Sequence, residues 1–312
     1  MKQNRKLTFL FLTILFFGCV LAPIMKVPLD IMLEKTGFIA DAVDYENGLY
    51  DFGKVMRRIL MLAALIAFIL FRKSLRFGAL VSSGLKIRSG FFKKFLLGFL
   101  LAGLAILIYY GFGLLTGARV IHLDYHTAGD IIGHIVGYLL IGCLIAIIEE
   151  ILFRGFALQS FQESMSAPMS VCVCSLIYSL LHFFSSDVFV STGFQPFVGF
   201  VTIAQFFKPL FFEFFKNLPA TIGLFLLGVV LSYAFIKTKS LYFSIGFHAC
   251  CVFMVKADGM FLNRDRGKME WLFGDNKLVT GVLTWLFLVC IIFVIRKIYS
   301  GTMNIHQEKN SL

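Results

Sequence analysis

The stretch GCLIAIIEEILFRGFAL, residues Gly142 to Leu158, places two adjacent carboxylates and one guanidinium in a run that is apolar on both sides. The apolar residues before Glu149 are numerous enough for a membrane helix, and ionisable groups at membrane depth indicate function by default. An alternative is that the helix ends at Ile148 and the charges face water at the membrane surface. The apolar run resumes after Glu150, which disfavours that alternative.

Helical spacing predicts different roles for the three charged residues. Glu150 and Arg154 are four residues apart and lie within about 40° of each other around a helix, so they are predicted to form an ion pair. Glu149 points about 100° away from Glu150, which leaves it without a local partner. A carboxylate placed in this way is a candidate general base.

The rest of the chain is equally apolar: 59% of the 312 residues are hydrophobic and 15% are charged, whereas soluble domains have about a quarter charged. The sequence predicts an all-α, polytopic membrane bundle of about eight transmembrane helices, forming a single integral-membrane domain over residues 1–312. The first apolar run also resembles a signal peptide, and an uncleaved span is favoured. The predicted spans are residues 7–25, 59–71, 95–116, 131–148, 168–184, 219–236, 240–257 and 278–295.

The net charge of +11 comes from Lys and Arg residues at the ends of spans and in short connections. This distribution indicates topology signals and contacts with the lipid bilayer, and no nucleic-acid partner is expected. The bias predicts cytoplasmic N- and C-termini and a location in a cell (inner or plasma) membrane. The loop 256–277, with five basic residues, argues against this orientation.

A segment rich in phenylalanine, residues 185–218, contains ten Phe. Its polar residues around 205–216 fall on one side of a helix, which favours a helix lying in the membrane interface. A re-entrant segment and an additional span remain open, and an additional span would reverse the orientation of everything after it.

Two histidines are candidates to act with the carboxylates. His182 and Glu149 are equally far from the turn predicted near residues 162–168, so a helical hairpin would place them at the same depth. His248 lies about 12 Å into the seventh predicted span. Gly246 and Gly228 would allow neighbouring helices to approach closely. The alternative for each histidine is a purely structural role.

These residues, taken together, resemble a known family. EEILFRG matches the motif E-E-x-x-x-R, YSLLH resembles F-x-x-x-H with Tyr178 in place of Phe, and LLGVVLSYAFIKTKSLYFSIGFHA resembles the segment that leads to a last histidine. The family is the CPBP family (CAAX prenyl protease and bacteriocin-processing, also called Abi) of intramembrane glutamic endopeptidases. The resemblance covers about residues 130–255, the predicted catalytic core.

The resemblance implies a role for each candidate residue. Glu149 would activate water, Glu150 and Arg154 would form a supporting pair, and His182 and His248 would hold water and stabilise the oxyanion. The substrate would be a membrane-associated peptide or protein. The oligomeric state is left open. No cofactor is expected, although one Glu and two His could also bind zinc.

One position departs from the family pattern, which has Asn or Asp four residues after the last histidine, where this chain has Val252. An amide at that position would donate a hydrogen bond to the oxyanion. The departure keeps a second hypothesis open, a weakly active or inactive member that acts as an immunity, scaffold or partner protein. A proton-coupled transporter is a third hypothesis, but the sequence has no repeated broken helices to support it.

Overall fold

The structure is a computed structural model that describes residues 2–36, 43–71, 73, 84–87, 90–122, 127–182, 188–264, 269–274 and 278–309. The chain divides into two compact units. The first unit contains Met1–Gly78 and Leu180–Leu218, and the second contains Ala79–Ser179 and Pro219–Leu312. The two units are regions that pack mainly within themselves. That the whole chain forms one integral-membrane domain stays a prediction.

Among the described residues, the first unit contains three complete helices and a short antiparallel sheet. The helices are α1 (Lys2–Thr36), α2 (Phe52–Phe71) and α7 (Val198–Phe211), and strand β1 (Leu49–Asp51) pairs with β3 (Phe189–Ser191). The carboxylate of Asp51 accepts hydrogen bonds from the backbone N–H groups of Gly53 and Val188, at 2.9 and 3.2 Å. It thereby joins the start of α2 to the segment that enters β3.

A buried polar network lies at the centre of this unit. Lys26 is fully buried, and its Nζ donates to Asp30 Oδ2 at 2.7 Å and to the carbonyls of Ser191 and Gly193 at 2.9 and 2.8 Å. Asp30 also accepts from the Tyr50 hydroxyl at 2.6 Å. Burial, followed by the hydrogen bond to Asp30, raises the pKa of Tyr50. The ammonium and the carboxylate each have several partners, which is what makes their burial tolerable.

The Phe-rich segment contributes to the core of the first unit and to its surface. Phe206 is fully buried, while Phe211, Phe212 and Phe215 are mostly exposed. Helix α7 ends at Phe211 and the next helix begins at Phe214, so the predicted single helical face over residues 205–216 is wrong. Residues 185–187 of the predicted segment lie outside the described residues, and its interfacial location stays a prediction.

Among the described residues, the second unit contains the remaining helices of more than about ten residues. They are α3 (Phe91–Leu115), α4 (Ala128–Glu150) with its continuation, α6 (Ala167–Leu181), α8 (Phe214–Thr238), α9 (Leu241–Phe261) and α11 (Val282–Lys309). Helices α6 and α8 each cross a boundary between the two units. A short antiparallel pair, β2 (Arg119–Ile121) and β4 (Leu262–Arg264), follows α3 and α9, and a four-residue helix, α10 (Glu270–Phe273), precedes α11.

Two glycines allow helices of the second unit to pack closely against each other. A methyl group added to Gly246 would collide with the backbone carbonyl of Phe95 on α3. One added to Gly228 on α8 would lie 2.9 Å from the Cβ of Ser175 on α6. Both glycines therefore serve the close helix contacts that the sequence predicts, and the first brings the helix that carries His248 against α3.

The helical membrane bundle is confirmed, but the number eight is not. Among the described residues, six helices are long and apolar enough to cross a membrane. Two of the predicted spans are helices that fall outside that set. Helix α2 has three basic residues in its first two turns, Lys54, Arg57 and Arg58, and α6 has only 15 residues. The six are Thr8–Lys35, Phe91–Leu115, Ala128–Gln162, Phe214–Thr238, Leu241–Phe261 and Val282–Tyr299.

Candidate active site

The charged stretch lies inside a continuous helix. Helix α4 continues without a break into a π-helix, Ile151–Leu158, and then into α5 (Gln159–Gln162). The helix therefore does not end at Ile148, as the alternative to a functional site required. Wider π-helical turns inside α-helices occur frequently at functional sites. Here the change from α-helix to π-helix falls directly after Glu150.

Glu150 and Arg154 form the predicted ion pair. Arg154 Nη1 donates to Glu150 Oε1 at 2.9 Å, and neither side chain is exposed. Arg154 Nη2 also donates to the carbonyl of Gly228 at 3.2 Å, which joins the π-helix to α8. Removing one partner of a buried pair leaves the other charge uncompensated, which strongly destabilises the folded protein. Both members of this pair are therefore needed together.

His248 joins the two carboxylates. Its Nδ1 lies 3.0 Å from Glu150 Oε1, and its Nε2 lies 3.8 Å from Glu149 Oε2. A carboxylate paired with arginine only accepts hydrogen bonds, so Nδ1 carries the proton that is shared with Glu150. In the neutral ring, Nε2 then presents a lone pair on the side of Glu149. The helix that positions this ring is capped at its start by Ser240, whose hydroxyl accepts from the N–H of Tyr242 at 3.4 Å.

Glu149 is the carboxylate in this cluster that is partly exposed at the protein surface. Its side chain is 27% exposed, whereas that of Glu150 is fully buried. Its Oε2 is buried, and within the described ranges no hydrogen bond reaches this atom. The 3.8 Å distance to His248 Nε2 is longer than a hydrogen bond. Glu149 is therefore a carboxylate beside an imidazole, without the fixed partner that Glu150 has.

A part of the chain matches a known protein family. Residues 131–254 match the family model described as type II CAAX prenyl endopeptidase Rce1-like. These residues form an Rce1-like domain. The match confirms the resemblance to the CPBP family, whose predicted core was about residues 130–255. No curated protein matches the chain closely.

The Rce1-like domain contains all five candidate site residues, and the structure brings four of them together. Glu149, Glu150, Arg154 and His248 are linked by the contacts described above. His182 lies in the turn directly after α6, with an exposed side chain. It belongs to the other compact unit, so its predicted approach to the carboxylates stays a prediction.

Tyr178 is a further member of the cluster, and its position is visible only in the structure. Its ring is buried and faces the Arg154 guanidinium, with the Cζ atom 4.6 Å from the ring centre. The same ring meets His248 edge to face, with ring centres 6.2 Å apart. A cation near an aromatic face is attracted by the ring quadrupole. Tyr178 therefore packs against both the guanidinium and the imidazole.

Two expectations about the site concern metal and the oxyanion. Within the part of the chain that the structure describes, no three His, Cys, Asp or Glu side chains are grouped as ligands for one metal ion. Val252 is half-buried on α9, one helical turn beyond His248. Its side chain has no hydrogen-bond donor, so it has no means to supply the interaction expected of the family amide.

Proposed function

We propose that this chain is an intramembrane endopeptidase that hydrolyses peptide bonds in membrane-associated proteins or peptides. The observation that carries the proposal is the imidazole of His248, which bonds to the buried Glu150 and faces the partly exposed Glu149. The arrangement lies in an Rce1-like domain, and the family description names an endopeptidase. A buried pair thus holds an imidazole beside an accessible carboxylate, which suits the activation of water.

The proposed reaction uses Glu149 as the general base. Glu149 takes a proton from water as the water oxygen bonds to the carbonyl carbon of the peptide. The negative charge on the carbonyl oxygen is stabilised by a hydrogen-bond donor, a role assigned to His182 and, when protonated, to His248. The C–N bond then breaks, and Glu149 returns the proton to the leaving amine. Glu150 and Arg154 act by orienting the His248 ring.

The proposed substrates are a class of molecules, membrane-associated proteins or peptides. The family description names CAAX prenyl substrates, so a lipid-anchored C-terminal segment is one substrate of the proposed enzyme. The sequence has no separate feature that indicates a prenyl group. The distribution of basic residues favours cytoplasmic termini, and a cell membrane is the proposed location.

Cleavage by the purified protein tests this function. The protein in detergent is incubated with membrane-proximal peptides, and the products are identified by mass spectrometry. We expect two fragments, with a rate that a strong chelator leaves unchanged, because the proposed base is a carboxylate. Loss of cleavage on chelation and its return with zinc would replace the carboxylate mechanism with a metal-assisted one.

Val252 favours a second candidate function, an inactive member that acts as a membrane immunity, scaffold or partner protein. The same assay separates the two functions, because only the endopeptidase releases fragments. Absence of fragments from all peptides tested, with a folded protein, would support the inactive member.

Replacing Val252 by asparagine is expected to raise the rate of cleavage. One oxyanion donor is worth about 10²–10³-fold in kcat, and this position lacks a polar side chain. Val289→Asn, on the exposed side of α11, is the matched control and should leave the rate unchanged. Equal rates for both variants and the wild type would show that another group already stabilises the oxyanion.

A further inference from the structure

Tyr178 on α6 lies against every part of the candidate site except Glu150. Its ring is buried and packs on the guanidinium of Arg154 and on the imidazole of His248. It also meets the ring of Phe153 on the π-helix at a right angle, with ring centres 5.0 Å apart. The ring therefore contacts both helices that carry the charged cluster.

The part of α6 that carries Tyr178 is fixed to its neighbours on both sides. Cys174 Sγ donates to the carbonyl of Phe153 on the π-helix at 3.4 Å. Ser179 Oγ donates to the carbonyl of Thr221 on α8 at 2.8 Å. Tyr178 lies between these two contacts, so its position is set by the surrounding helices. A group held in this way needs no reorganisation when charge develops beside it.

The hydroxyl of Tyr178 is close to the proposed base. Of the charged groups around it, Glu149 interacts most strongly with the hydroxyl, followed by Arg154 and Glu150. A phenol keeps its proton at neutral pH and can therefore donate a hydrogen bond. Phenylalanine at this position would provide the same ring without a donor.

Most of the other donors in the cluster are already engaged. The proton of His248 is on Nδ1 and is shared with Glu150, so the neutral ring has no second N–H group. Arg154 directs its two Nη groups at Glu150 and at the carbonyl of Gly228. Val252, one turn beyond His248 on α9, has no donor in its side chain.

We propose that the Tyr178 hydroxyl donates a hydrogen bond to the oxyanion that forms when water attacks the peptide carbonyl. The proposal rests on the proposed endopeptidase function and adds one catalytic residue to it. Tyr178 keeps its proton throughout, so Glu149 remains the base and the phenol stabilises the developing charge. The ring has a separate role, because its face attracts the guanidinium of Arg154.

Tyr178→Phe tests the hydroxyl while keeping the ring. The variant should lower kcat for peptide cleavage about 10²–10³-fold, the effect of losing one oxyanion donor. KM should change little, because the lost hydrogen bond forms in the transition state. Thermal unfolding in detergent should stay at the wild-type temperature, because the ring still covers Arg154. Tyr138→Phe, about three turns before Glu149 on α4, is the matched control and should keep wild-type kinetics.

A second donor provides an independent measurement. Val252→Asn adds an amide to α9 one turn beyond His248. It should raise kcat by a larger factor in the Tyr178→Phe background than in the wild type, because the wild-type hydroxyl already stabilises the same charge. Val289→Asn in the Tyr178→Phe background is the control and should leave kcat low.

Each outcome bears on the proposal. A fall in kcat at an unchanged unfolding temperature, with recovery on adding Val252→Asn, supports it. Cleavage by Tyr178→Phe at the rate of Tyr138→Phe overturns it and leaves the endopeptidase function intact. The donor would then be another group, such as Arg154 Nε, which makes no hydrogen bond within the described part of the chain.

Two further results would also overturn the proposal. A fall in kcat that comes with a lower unfolding temperature, or that Val252→Asn does not reverse, would give Tyr178 a structural role only. Absence of cleavage by the wild type would overturn both this proposal and the proposed function.

Discussion

Glu149→Gln is expected to lower kcat for peptide cleavage by about 10²–10⁴-fold, the contribution typical of a general base. The amide keeps the size of the side chain but does not accept the proton from water. Glu149 is partly exposed, and the structure gives it no hydrogen bond on Oε2. Its replacement should therefore leave thermal unfolding almost unchanged. KM should also change little, because the lost interaction acts in the transition state.

The matched control for this prediction is Glu163→Gln. Glu163 follows α5 near the end of the same long helix and is exposed. The substitution removes the same charge just beyond the end of the helix that carries Glu149 and does not touch the candidate site, so wild-type activity is expected. Activity of Glu149→Gln within threefold of the control would contradict the assignment of Glu149 as the base.

Arg154→Met is expected to lower the free energy of unfolding by about 3–5 kcal/mol, because it leaves the buried Glu150 carboxylate without its cation. The guanidinium also holds the carbonyl of Gly228 and faces the Tyr178 ring, so both lose a partner. The measurement is thermal unfolding in detergent, compared between the wild type and the variant. The exposed pair of Lys54 and Asp44 supplies the control, Lys54→Met, which should cost about 1 kcal/mol or less.

A double variant separates stability from activity. Replacing Glu150 by leucine in the Arg154→Met background removes both charges, and such apolar replacements of a buried pair are often close to neutral. We expect stability to recover in large part, while activity stays low because His248 Nδ1 has lost the carboxylate it bonds to. Recovery of both properties would contradict an orienting role for Glu150.

The sequence predicted the helical bundle and the local geometry of the charged stretch. The Glu150–Arg154 pair follows from a spacing of four residues, which depends only on the helix itself. The hydrogen bond between His248 and Glu150 was missed because it joins residues 98 positions apart. Its formation depends on how α9 is rotated against α4, and a single sequence holds no signal for that rotation. The π-helix after Glu150 has no recognisable sequence signal either.

The predicted number of eight spans is not confirmed, because only six helices among the described residues are long and apolar enough to cross a membrane. A hydropathy pattern registers apolar residues and says little about where a helix ends. Helix α6 has only 15 residues, and α1 extends to Thr36, beyond the predicted end at residue 25. The extension contains Lys26 and Asp30, the buried ion pair of the first unit, which was therefore missed. The available signal in the sequence was two opposite charges four residues apart, Lys26 and Asp30, directly after the predicted end of the span.

The most direct test of the central claim is cleavage of a membrane-proximal peptide in ¹⁸O-labelled water, comparing the wild type, Glu149→Gln and His248→Ala. Hydrolysis places oxygen from water in the new C-terminal carboxyl group, and mass spectrometry detects it. The proposed function predicts labelled fragments from the wild type and almost none from either variant. Labelled fragments from both variants at the wild-type rate would contradict the claim that Glu149 and His248 activate water.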